Sequence, residues 1–205
     1  MHGSQAAPRT KAAQREATTA ALIKAARELF AQRGYAAVGT EEIVQRAGVT
    51  RGALYHHFRS GKDELFKAVV VQISADTARQ IREAARAQDD PWESLVAGIE
   101  AFLDACARPD VQRIVLVDGP SVLGWDVWRA IDANYSLGLI ESALKRAVES
   151  GRLLDQPTDA LAHVLLGALQ EAAMMVARAD DPAQARAEMG TTIKRLLEGL
   201  RGPQL

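Results

Sequence analysis

A chain of 205 residues, 48% of them apolar, is long enough to bury a core without covalent staples and too apolar for a disordered tail. Its single cysteine, Cys106, excludes an intrachain disulfide framework and a cysteine-based zinc site, and neither a metal nor a cofactor is expected. The net charge of −1 conceals an asymmetry: residues 1–62 carry 10 Lys and Arg against 4 Asp and Glu, whereas residues 63–205 carry 15 against 22.

Helical periodicity dominates, with apolar residues recurring at i, i+3, i+4 and i+7, and "IVLV" at 114–117 is the one β-branched run. Residues 1–13 read as a flexible arm without a hydrophobic signal segment. A first helix is predicted from about Thr10 to Arg33, with Leu22, Ala26, Leu29 and Phe30 on one face and Gly34 as its stop. Thr40 is the expected N-cap of a short second helix, whose first turn holds Glu41 and Glu42; Gly48 ends it. Thr50 caps an equally short third helix ending near Phe58. Ser60 and Asp63 have the spacing of a capping box and open a fourth helix that runs to about Ala87. Prolines 91, 109, 120, 157 and 182 punctuate the rest into helices at about 92–107, 110–117, 122–150, 158–179 and 183–200. No apolar run approaches the ~18–20 residues of a membrane span, so no membrane partner and a cytoplasmic setting are expected.

The stretch "AGVTRGALYHHF" (47–58) carries the most specific chemistry. Two short helices joined by a glycine turn make a helix-turn-helix. Ile43, Val44, Val49, Leu54 and Phe58 seal the inside of that pair. At 100° per residue, Gly52, Tyr55, His56 and Arg59 then face outward, with Arg51 at the edge and His57 nearer the core. This third-helix face bears donors, a ring and a glycine, and no acid of its own. A DNA major groove about 12 Å wide admits such a surface: Arg reads guanine, and Tyr and His reach phosphates or thymine methyls. Thr40, Thr50 and Lys62 lie at helix starts, where hydroxyls, amides and an ammonium suit phosphates. A basic head also fits simple solubilisation, or DNA binding without sequence preference.

The segment "GYAAVGTEEIVQRAGVTRGALYHHFRSGKDELF" strongly resembles the DNA-binding domain of the TetR family of bacterial transcriptional regulators, over roughly residues 14–70. Matched position by position, the resemblance assigns Thr40, Thr50, Arg51, Gly52, Tyr55 and His56 to the groove and phosphates. It departs at Ser60-Gly61-Lys62, where the lysine stands four residues after Phe58 and not the family's three.

The resemblance implies an all-α fold: a helix-turn-helix domain (14–62), then a helical ligand-binding and dimerisation domain (63–205) reached through a long helix. It implies that the last two helices pair with their two-fold copies, through Leu161, Leu165, Ala168, Ala172 and Met175 on one and Ile193, Leu196, Leu197 and Leu200 on the other. It also implies a pocket for a small-molecule effector. Candidate lining residues are Trp92, Phe102, Cys106, Trp125, Trp128, Tyr135, Glu171 and Met174, whose composition suggests an uncharged or lipophilic ligand. The implied function is a dimeric, ligand-responsive regulator, most often a repressor, on a palindromic operator in double-stranded DNA. An enzyme is the competing class; Cys106, His163 and Asp118 would be its nucleophile, base and orienting group, with no catalytic motif around them.

Overall fold

The computed structural model describes residues 10–201. Their regular secondary structure is helical, and they contain no strand, only an isolated antiparallel bridge between Leu153 and Arg201. The chain divides into two compact units, one ending at Val69 and the other beginning at Val70.

The first unit holds α1 (Lys11–Arg33), α2 (Thr40–Ala47), α3 (Arg51–His57) and the opening of α4 (Lys62–Arg86). Of the arm expected at 1–13, residues 1–9 lie outside the described residues, and 11–13 are already the first turn of α1, where the Thr10 hydroxyl accepts from the Ala13 amide at 3.3 Å. Leu22, Ala26, Leu29 and Phe30 of α1 are buried as their spacing predicts, against Ile43 and Val44 of α2, Leu54 of α3, and Leu65 and Phe66 of α4. Phe66 meets Phe30 and Tyr35 edge-on, with centroids 5.4 and 5.0 Å away. The turn between α2 and α3 rests on Gly48, held at φ +67°, while the Val49 amide returns to the Val44 carbonyl at 3.0 Å. A side chain at Gly48 would strain this turn.

Two expected caps differ. Gly39 occupies the cap of α2 and Thr40 is its first helical residue, because the extended backbone ends one residue earlier than expected. The Ser60–Asp63 box does not form. Gly61, at φ +67°, displaces the register, so Ser60 N–H donates to Glu64 Oε2 at 3.0 Å, and Asp63 accepts from the Tyr35 hydroxyl.

The second unit comprises the rest of α4, then α5 (Pro91–Cys106), a π-helical stretch (Val111–Asp118), α6 (Gly119–Leu123), α7 (Trp125–Glu149), α8 (Thr158–Arg178) and α9 (Pro182–Glu198). Asp90 and Asp181 cap α5 and α9, each accepting two amides ahead of a first-turn proline. The helix expected at 110–117 is present but wound as π. Trp128 Nε1 donates to the Val115 carbonyl at 2.8 Å, and Gly119 admits the indole: a Cβ there would sit 2.8 Å from Trp128 Cδ1. One expectation fails: α8 is long and apolar enough, by length and composition, to cross a membrane. It is instead a core helix, with Leu165, Leu166, Leu169, Ala172, Ala173 and Val176 buried among its neighbours.

Candidate nucleic-acid interface and effector cavity

Helix α3 is short, and its orientation follows from which residues it buries. Leu54 is fully buried and Phe58 nearly so, which turns the opposite side outward. Arg51, Gly52, Tyr55 and His56 are exposed there, Tyr55 with 41% of its surface in solvent. Thr50 caps the helix, its hydroxyl accepting from the Ala53 amide at 3.2 Å. Nothing but the Thr50 hydroxyl, 3.9 Å away, borders a Cβ built on Gly52, so the surface is open at that point. His57 turns back, its Nδ1 2.9 Å from the Thr19 hydroxyl of α1. Burial and the neighbouring His56 and Arg15 charges hold its imidazolium below the usual range, so His57 belongs to the scaffold.

The sequence pattern missed two features of this face. Although α3 itself bears no acid, Glu41 of α2 reaches across to it, Arg51 Nη1 lying 2.9 Å from Glu41 Oε1. Both side chains are more than 60% exposed, and such a pair is worth about 0–1 kcal/mol, which a phosphate or a guanine edge readily outbids. Lys62 does not join the exposed set. Its ammonium donates to the Tyr35 and Val38 carbonyls at 3.2 and 3.1 Å and stands 4.0 Å from the Tyr35 ring centroid. The extra residue, Gly61, lies beneath Tyr55, whose Cε1 would be 3.1 Å from an added Cβ. The segment thus supports the Tyr55 ring and draws the lysine inward.

In the second unit, α4, α5, α7 and α8 enclose a cavity of about 400 Å³. Its walls are apolar, with Leu95, Ile99, Phe102, Ile140, Leu166 and Leu169 among them. Arg82 and Arg86 of α4 and Arg146 of α7 also line it. A second void of about 40 Å³ shares Phe102 and Ser136 with the first and is ringed by Thr77, Cys106, Trp128, Asp132 and Gln170. Here the polar groups converge: Gln170 Nε2 and the Ser136 hydroxyl donate to the Asp132 carboxylate, and Arg129 donates to Gln170 Oε1. Burial raises the Asp132 pKa against the lowering effect of those donors. The Thr77 hydroxyl has no hydrogen-bond partner among the described residues.

Of the eight pocket residues expected from sequence, Phe102, Cys106 and Trp128 line these voids. The other five do not. Trp92 is core, 2% exposed, with Arg201 over its ring at 4.6 Å; Trp125 is 55% exposed and lies tilted against Trp128; Glu171 is exposed; Tyr135 and Met174 border neither void. Aromatic content does not locate these voids, because rings also serve as core and surface packing. The signal overlooked was Arg82 and Arg86, one turn apart at the end of α4. The catalytic set does not assemble. Burial pushes the Cys106 thiol far above its usual range, and neither His163 nor Asp118 borders its void.

Residues 22–69 match the family described as bacterial regulatory proteins, tetR family, and residues 92–200 match the tetracycline repressor-like C-terminal domain. The chain belongs to the TetR family. It is 27% identical over 155 residues to the transposon-borne TetC protein of Escherichia coli, covering 74% of this chain and 76% of that one. A crystal structure of a TetR-family transcriptional regulator from Pectobacterium atrosepticum superposes with a TM-score of 0.83 at 33% identity, covering 96% of this chain and 100% of that one. RolR, solved in complex with resorcinol, shares the fold at a TM-score of 0.68 and 24% identity, covering 91% of this chain and 90% of that one. TetR-family proteins are DNA-binding regulators and not enzymes.

TetR-family regulators act as dimers, which directs attention to α8 and α9. Of the nine interface residues expected, Leu165, Ala172, Ile193 and Leu197 are buried within their own chain, and Leu161 and Leu200 are partly buried against that core. Ala168, Met175 and Leu196 remain exposed, Met175 at 48% and Leu196 at 65%. Val164, which the sequence reading passed over, is 70% exposed and completes the stripe 161, 164, 168, 175 on α8. Glu141, Asp159 and His163 bring ligand-capable atoms within 4.8 Å of one another on α7 and α8; this is the one place where described side chains could hold a metal ion, and two of the three are exposed.

Proposed function

We propose that this TetR-family protein is a homodimeric, ligand-responsive repressor. Two α3 helices enter successive major grooves of a palindromic operator in cytoplasmic DNA, and a small molecule in the cavity of the second unit releases them. The observation that carries the reading is the exposed face of α3, where Arg51, Gly52, Tyr55 and His56 stand together beyond a buried Leu54. Arg51 reads a base edge once it leaves Glu41, Tyr55 and His56 meet phosphates or thymine methyls, and Gly52 lets the backbone come close. The Thr40 and Thr50 hydroxyls, at the starts of α2 and α3, take flanking phosphates. Lys62 serves here through its hold on the carbonyls of Tyr35 and Val38, positioning α4 under the motif. One seven-residue helix reads few base pairs, and pairing through Val164, Ala168, Met175 and Leu196 supplies the second half-site. The shared fold with RolR, whose structure holds resorcinol, supports a small organic effector in the second unit.

Selection of bound duplexes from random DNA tests the reading. The expected product is an inverted repeat with half-sites about one helical turn apart, bound more weakly by Arg51→Ala and Tyr55→Ala. Enrichment of no sequence over the starting pool would mean a non-specific binder and would remove the repressor reading.

A further inference from the structure

The lining of the 400 Å³ cavity is apolar in its walls and predominantly cationic in its charged residues. Three of its lining residues are arginines: Arg82 and Arg86, one helical turn apart on α4, and Arg146 on α7. Arg146 donates to the Ser142 hydroxyl at 3.0 Å, and among the described residues none of the three has a carboxylate within ion-pair distance. Asp89 is the only acid in the lining. Elsewhere in the same unit Arg79, Arg108, Arg152 and Arg186 each meet a carboxylate. Acids outnumber bases 22 to 15 over residues 63–205, so a cationic cluster around an apolar cavity runs against the local average. Arg82 and Arg86, four residues apart on one helix, repel each other when nothing negative lies between them.

Leu95, Ile99, Phe102, Leu166 and Leu169 supply apolar walls, and the volume falls within the ~300–1,000 Å³ of small-molecule sites. All three arginines are solvent-exposed, so an anionic head placed among them keeps part of its hydration while the body is buried. Guanidinium forks match a carboxylate or phosphate in plane, two N–H groups to two oxygens.

We propose that the effector is an amphipathic organic anion: an apolar chain or ring system buried between α5, α7 and α8, ending in a carboxylate or phosphate held by Arg82, Arg86 and Arg146. This rests on the effector-cavity reading above and replaces the expectation of an uncharged ligand.

Calorimetric titration of the full chain with decanoate, decan-1-ol and decylamine tests it, since the three share an apolar body and differ in head charge. Decanoate is expected to bind about tenfold more tightly than decanol, the effect of one charge-assisted contact, and decylamine more weakly than either. Arg82→Gln, Arg86→Gln and Arg146→Gln lie at the surface and leave folding intact. Each should weaken decanoate toward decanol while leaving decanol unchanged. Decanol or decylamine binding as tightly as decanoate, or decanoate affinity indifferent to all three substitutions, overturns the anion assignment and leaves the effector cavity standing. Binding by none of the three probes removes the cavity as an effector site as well.

Discussion

Gly52 separates a folding role from a recognition role more cleanly than any other residue of the motif. It lies inside α3 with a helical backbone, and a Cβ there would find open space beyond the Thr50 hydroxyl at 3.9 Å. Glycine in a helix gives up about 0.5–1 kcal/mol relative to alanine, so nothing in the isolated protein requires it. In the proposed operator complex, the groove wall that presses close would require it. Gly52→Ala should therefore raise the free energy of unfolding by roughly 0.5–1 kcal/mol in denaturant titration. The same variant should bind the selected operator about tenfold more weakly, the scale of one methyl forced into a packed contact. Unchanged DNA affinity would place the groove-facing side of α3 elsewhere. Gly61 is the counterexample: its φ of +67° and the Tyr55 ring beside it make it a folding glycine first.

Helices α8 and α9 show how far an element can be read before its partners are known. Periodicity located both helices, and Pro182 marked the start of α9. It could not settle which of two adjacent apolar stripes faces outward. On α8, Leu161, Val164, Ala168 and Met175 form one stripe, and Leu165, Leu169, Ala172 and Val176 form the next, about 100° away. Both are apolar, and only the burial of Leu165 and Ala172 at 6% and 3% exposure assigns the second to the protomer core; the proposed dimer would cover the first. The head was easier: its large aliphatic and phenylalanine positions, such as Leu22, Phe30, Ile43, Leu54 and Phe58, are core, and Tyr55 and its polar neighbours are left on the outside. The cavity was hardest, since its walls are ordinary core residues and its distinguishing arginines sit on two helices, α4 and α7, far apart in sequence. The assignment of the outer stripe yields a sharp expectation. Val164→Glu should leave the protomer's stability within about 0.5 kcal/mol, because Val164 is 70% exposed, yet place two buried carboxylates across a two-fold axis. Light scattering should report monomers at concentrations where the parent chain is dimeric, and operator binding should fall with dimer dissociation. A dimer that survives Val164→Glu and Leu196→Glu together would assign the interface to another face.

At the scale of the whole molecule, the proposed function couples the two units, and α4 is the one helix that belongs to both. It spans 25 residues, roughly 40 Å at about 1.5 Å per residue. Its first residue, Lys62, is tied to the carbonyls of Tyr35 and Val38 ahead of the recognition motif; its last turns present Arg82 and Arg86 to the cavity. In the proposed mechanism, an effector that grips those arginines acts on the helix whose first residue is tied into the DNA-binding unit. Thermodynamic linkage then makes a demand free of any structural detail: the factor by which effector weakens operator must equal the factor by which operator weakens effector. With decanoate as probe, that factor is expected between about 5 and 150 in either direction. Lys62→Met removes the tie at one end while leaving the cavity and the exposed face of α3 intact. It should bind decanoate as the parent does and show a smaller coupling factor in both titrations. Equal coupling in the parent and in Lys62→Met would mean that the signal reaches α3 by a route other than the lysine at the head of α4.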